Sequence, residues 1–172
     1  MMTRVVVACA VLVTCHLNVG AVAAAQPCRA VRHPELEALL PVLAGFGRNR
    51  PVGETDDIEA VSRTTVDYEV AGGAARISIE LMDSCRNPDM LSQLREFLTT
   101  GPVATPGTTM RSLPVRGFPA YEEWTAESGH GEVHVLVADR FMVKVTGDLV
   151  ESRAVVENAA KAIELEKLAA LK

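Results

Sequence analysis

Aromatic residues are scarce in this chain: one Trp, two Tyr and four Phe among 172 residues, 4% of the total. A core with so few rings must be built from aliphatic side chains, and each Tyr or Trp is expected to serve packing before it serves a ligand. Positive charge is equally thin. No Lys/Arg cluster stands out and the formal net charge is −5, which argues against nucleic acid and anionic membrane surfaces as partners. Internal repeats and low-complexity tracts are absent. So are the signatures of nucleophilic and nucleotide chemistry: there is no G-x-S-x-G, no S-x-x-K, no phosphate-cradling P-loop and no G-x-G-x-x-G dinucleotide fingerprint. These absences point to a chain without a cofactor, more in keeping with a non-enzyme, while leaving open an enzyme assembled from dispersed residues.

What is present begins with a leader. Residues 1–25 carry Arg4 as their only charge, then an apolar run from Val5 to Val13, then small residues. Ala21-Val22-Ala23 and Ala23-Ala24-Ala25 both satisfy the small-x-small cleavage pattern, so residues 1–25 read as a secretory signal peptide and 26–172 as one domain. The apolar run is too short for a transmembrane anchor, and no stable anchor is expected after cleavage. Without Arg4 the balance is 16 basic against 22 acidic residues, a net charge of −6. Cys9 and Cys15 leave with the leader. In an exported chain, periplasmic or extracellular, the remaining Cys28 and Cys85 are expected to form a disulfide. No C-x-x-C and no nearby His supports a reactive thiol instead.

The strongest periodic signal lies between Gly117 and Gly147. Val133, Val135 and Val137 alternate, then Phe141, Val143 and Val145. With Ala138-Asp139-Arg140 as the loop, Val137 faces Phe141, Val135 faces Val143 and Val133 faces Val145, so all six share one face. Glu132, His134 and Leu136 then share the other face with Met142, Lys144 and Thr146, and His134 sits opposite Lys144. A preceding strand carries Tyr121 and Trp124, joined through the glycine turn around Ser128-Gly129-His130-Gly131.

Earlier in the chain, Pro34 to Ala44 places Leu36, Leu39, Leu40 and Leu43 at helical spacing, with Pro41 as a break. Arg48 to Asp57 reads as an exposed loop or ragged edge strand. Val66, Tyr68 and Val70, a Gly72-Gly73 turn, and Ile77, Ile79 and Leu81 form a hairpin. Pro88 to Thr99 suits a helix capped by Asn87, bearing Met90, Leu91, Leu94, Phe97 and Leu98. Met110 to Val115 is a further strand. From Leu149 or Glu151 through Leu171 a long helix is expected, with no internal Gly or Pro, closing the core over the meander. The expected fold is α+β: an antiparallel sheet packed by an N-terminal helix, a middle helix and a long C-terminal helix.

Two groups of residues invite a functional reading. His130, Glu132 and His134 lie at i, i+2 and i+4, and on a strand these point the same way, so they are candidate metal ligands. Against this, an extended strand places His130 and His134 roughly 13 Å apart, and Lys144 beside His134 repels a cation. A solvated charge ladder of Glu123, His134 and Lys144 is the blander reading. Tyr121 and Trp124 flank Glu122-Glu123, as in a carbohydrate site. Adjacent strand residues face opposite ways, however, so the two carboxylates do not flank one bond.

HVLVADRFMVKVTG, following GFPAYEEW, resembles the late strands of small uncharacterised exported bacterial proteins. In those, an aromatic-x-Val-x-Val-x-Gly strand follows a valine-rich one and a C-terminal helix closes the domain. The layout is similar to the extrinsic photosystem PsbP-type α+β sandwich, whose fold is associated with binding and accessory roles. The likeness covers the last third of the chain and transfers no functional motif. The resulting expectation is an exported non-catalytic binding or accessory module of the bacterial envelope, with an unknown envelope protein or small ligand as partner. Its binding surface is placed around Tyr121, Trp124, His134 and Leu136. The competing expectation is a metal-binding protein using His130, Glu132 and His134.

Overall fold

The computed structural model describes residues 28–85, 87–101 and 106–172. The expected signal peptide lies outside these residues. Eight strands form one antiparallel sheet: β1 (Gly47–Arg48), β2 (Val52–Asp56), β3 (Val61–Glu69), β4 (Arg76–Asp83), β5 (Thr108–Val115), β6 (Phe118–Thr125), β7 (His130–Val137) and β8 (Phe141–Asp148). Their order across the sheet is β1-β3-β4-β8-β7-β6-β5, with β2 also paired to β3. The helices are short: α1 (His33–Glu37), α2 (Ser92–Thr100, entered through a 3-10 turn at Pro88–Leu91), α3 (Arg153–Lys161) and α4 (Leu165–Ala170).

Strand pairing follows the alternation in the sequence. Val133, Val135 and Val137 face Val145, Val143 and Phe141, and Val66 and Tyr68 face Ile79 and Ile77. A one-residue slip would turn these apolar sets toward water, which is what holds the register. All of them are essentially fully buried on one face. Leu36, Leu39, Leu40 and Leu43 from the N-terminal segment pack on this face, together with Val156, Ala159, Ala160, Ile163, Leu165 and Leu168 near the C-terminus. The opposite face carries a smaller cluster at one end, where Leu91 and Leu94 of the α2 region cover Met82, Tyr121 and Leu136.

Two glycines allow the α3 end of the core to close. Gly131 and Gly147 face each other across β7 and β8. A Cβ on Gly147 would come within 2.6 Å of a Val156 methyl, and one on Gly131 within 2.7 Å of the Trp124 ring. The helix and the indole occupy the space that side chains would need.

The expected α+β balance with a long C-terminal helix is not what forms; the fold is mostly sheet with short helices. The C-terminal segment breaks after Lys161 and restarts at Leu165. In one continuous helix Leu165 would lie about 180° around from Val156, on the wet side. Turning the chain at Ile163-Glu164 instead buries Ile163, Leu165 and Leu168 completely. Local helix propensity yields to that burial. The N-terminal helix is likewise only five residues long. Pro41 disfavours helical conformation at Leu40 and cannot donate back along the helix, so the leucines are buried from an irregular segment. Its carbonyl accepts the Tyr68 hydroxyl at 2.6 Å. Asn87 precedes the 3-10 turn but makes no side-chain cap.

The Asp83 carboxylate, buried at the end of β4, accepts four hydrogen bonds. Arg140 donates two (Nε to Oδ1 at 2.8 Å, Nη2 to Oδ2 at 2.7 Å), and the backbone N–H groups of Val31 and Cys85 donate the others. Cys85 is disulfide-bonded to Cys28 over a separation of 57 residues, a closure worth up to about 4 kcal/mol in the chain-entropy view. Arg140→Ala should leave the Asp83 charge buried without its counter-ion and cost about 3–5 kcal/mol, read from urea unfolding. Adding Asp83→Ala in the same chain should recover part of that loss, because no unpaired charge then remains.

Candidate functional site

The face opposite the main core is open beyond α2. Period-two alternation places Arg76, Ser78 and Glu80 of β4, Lys144, Thr146 and Asp148 of β8, His130, Glu132 and His134 of β7, and Tyr121 and Glu123 of β6 on it. Its side chains are linked across the strands. Arg63 Nε lies 3.0 Å from Glu80 Oε1, and Glu80 is the Cα partner of Lys144. Lys144 Nζ lies 2.8 Å from Glu132 Oε1, and His134 Nε2 lies 2.8 Å from Glu132 Oε2. The His134 ring stacks on Tyr121 at 4.6 Å and 5° between planes, and Tyr121 packs on Phe97 of α2 at 5.1 Å. At the far end, His130 Nδ1 is 2.8 Å from Asp148 Oδ1, and Asp148 also accepts from Arg76.

Glu132 is the centre of this network. Burial pushes its carboxyl up, but hydrogen bonds and charge from His134 and Lys144 outweigh that and hold it at about 2, against 4.5 ordinarily. The Asp148 carboxyl is also held low, chiefly by the His130 hydrogen bond, against burial and with help from Arg76. Burial pushes the Tyr121 hydroxyl up, reinforced by Glu123 and Glu132. A carboxylate held firmly ionised suits electrostatic recognition better than proton transfer near neutral pH.

The residues expected to bind do not form one surface. Tyr121 and Leu136 lie beneath α2, 7% and 9% exposed, and His134 stands beside them. Trp124 is on the opposite face, in the main core over Gly131. The candidate metal ligands do share a face, with Glu132 between the two histidines and His130 Nε2 3.8 Å from it. The ammonium of Lys144 already sits at that carboxylate. Among the described residues no group of three or more His, Cys, Asp or Glu is arranged to hold a metal ion.

The expected ladder of Glu123, His134 and Lys144 is also displaced. Tyr121, not Glu123, faces His134, and Glu123 faces Glu132. The turn that pairs Thr125 with His130 sets this offset, and the ionic contact of Lys144 goes to Glu132.

Glu122 and Glu123 do point to opposite faces, and Glu122 is not a free surface acid. Glu122 is 1% exposed within the core. Its Oε2 accepts from Arg111 Nε at 2.6 Å, Arg111 also bridges to Glu157 of α3, and Glu122 Oε1 has no hydrogen-bond partner among the described residues. Its parity with Ala120 and Trp124 was the sequence signal for that burial. Asp83 and Arg140 gave no such signal, since a strand-end acid and a turn arginine look like ordinary solvated residues.

Because Glu132 is held at about 2 in the fold, its ion pairs stabilise fully above its ordinary value near 4.5. That contribution is lost as pH falls from there toward 2. Glu132→Gln should therefore cost on the order of 2–3 kcal/mol at neutral pH, with the gap to the parent chain narrowing across that acid window in thermal unfolding. No protein-family model, no curated protein and no solved structure matches this chain.

Proposed function

We propose that the chain is an exported, non-catalytic binding or accessory protein of a bacterial envelope, and that it meets its partner through the open sheet face around Glu132, Lys144 and Thr146. The observation that carries this reading is the locked state of that face. A wet face is ordinary for an antiparallel sheet, but here the charged side chains are already fixed by one another. Glu132 is 20% exposed and His134 12%, held between Lys144 and the Tyr121 ring. Polar groups ordered in advance lose little freedom when a partner docks. The leader-like residues 1–25 and the Cys28–Cys85 disulfide support an oxidising compartment outside the cytoplasm.

The second reading, a metal site at His130, Glu132 and His134, is favoured by the placement of Glu132 between two imidazoles and opposed by Lys144. Elemental analysis of protein purified without chelators separates the two. Near-stoichiometric zinc or copper that disappears in His134→Ala would establish the metal reading.

For the binding reading, a photo-crosslinking residue at Thr146 should yield one defined adduct in the native envelope. The same residue at exposed Ala154, on α3, should not. Adducts at neither position, or equally at both, would sink the assignment of this face.

A further inference from the structure

The two edges of the sheet are finished differently. On the β3 side, two short strands, β1 and β2, separated around Pro51, take up the outer hydrogen-bonding positions. On the other side the sheet ends at β5, eight residues long, whose strand partner among the described residues is β6 alone. Unpaired edges of this length are usually blunted by charge, proline or a covering element, because they template pairing with another chain. The one charged residue on β5 is Arg111, and its guanidinium is tied to Glu122 and Glu157 within its own fold.

Which backbone groups of β5 face outward follows from its prolines. Pro114 faces Pro119 across the β5–β6 ladder. Neither has an N–H, so this is a non-hydrogen-bonded pair. The next pair, Val115–Phe118, closes a two-residue turn in which Arg116 and Gly117 both have positive φ, 49° and 85°, the conformation of a tight hairpin whose closing pair is bonded. Alternation then assigns the inward bonds to residues 109, 111, 113 and 115. The N–H and C=O groups of Thr108, Met110 and Ser112 point away from the sheet.

We propose that this edge pairs with the same edge of a second copy of the chain, antiparallel about a two-fold axis at Met110. In that register Met110 faces Met110 of the second copy, and Thr108 and Ser112 face Ser112 and Thr108. Every outward group of the three residues is then satisfied reciprocally. Arg111 lies opposite Thr109 of the second copy, and Pro114 falls outside the paired residues. The neighbouring registers are worse: one sets Arg111 against Arg111 and Thr108 against Pro114, the other sets Ser112 against Pro106, and neither proline has an N–H to give. Both copies keep α1, α3 and α4 on the same side, so the two open faces join into one surface on a continuous sheet. The interface is isologous, as closed two-fold symmetry requires.

The test is sedimentation of the protein purified from an exporting host, across a concentration series, with amide hydrogen exchange at each end of the series. The expected result is a concentration-dependent doubling of mass. With it, exchange at Thr108, Met110 and Ser112 should slow at least about ten-fold, while Thr109, Arg111 and Leu113 stay protected throughout. Met110→Pro removes an outward donor from an edge position and should leave a folded monomer. Met110→Lys places like charges face to face and decides the matter if the proline variant misfolds. Three outcomes would overturn the proposal: a monomer at every concentration, a dimer unaffected by Met110→Lys, or a dimer in which the three amides remain unprotected.

Discussion

A carboxylate with no access to water has to find its partners inside the protein, and the Asp83 carboxylate finds four. Two come from the Arg140 guanidinium in a fork that matches its geometry, and two from backbone N–H groups on either side. Burying such a pair is costly, so it persists only where every lone pair is engaged. The rest of the molecule hangs on it in a concrete sense. Val31 is held here before the leucine-rich segment crosses the core face. Arg140 reaches on to the Arg29 carbonyl and leaves the turn that sets the β7–β8 register. The disulfide closes beside it. Remove the pair, and the N-terminal segment, the end of β4 and that turn lose their common anchor.

Much of the sheet was legible in the sequence because a strand exposes its register through parity alone. Val133 to Val145, and Val66 to Ile79, needed no knowledge of the rest of the chain. The helices were not legible in the same way. The segment from Glu151 to Leu171 has strong helix formers throughout, and nothing local says that it must break. The break is imposed by Leu165, which a continuous helix would leave in water while the core has a place for it. The five-residue α1 makes the same point from the other direction: the leucines at helical spacing are buried, but from a segment Pro41 keeps irregular.

The candidate site divides along the same line. The sharing of a face by Glu132, His134 and Lys144 followed from period two. Who touches whom did not, because the offset of β6 against β7 depends on the turn between them. That offset brings Tyr121 onto His134 and carries Glu123 away from it. Trp124, one residue past Glu123, belongs to the other face altogether and spends its ring on the hollow over Gly131. With seven aromatic residues in the whole chain, all three of the larger rings, Tyr68, Trp124 and Tyr121, go to packing the two clusters. The open face is left to charge.

The anchor at Asp83 also sets an order of events. It joins Arg29 to Arg140, 111 residues apart, in a chain whose contacts are largely long-range strand pairings of the kind that make folding slow. Loop closure over such a span adds little to the equilibrium cost, since that cost grows only logarithmically with length. Its weight falls on timing. The N-terminal segment is made first, yet its arginine partner arrives only with the turn between the last two strands. Cys85 is made well before that turn, so the disulfide is available to hold Cys28 near the end of β4 in the interval. The covalent link then acts as a placeholder, keeping Cys28 and Arg29 beside a position the last strands have yet to complete.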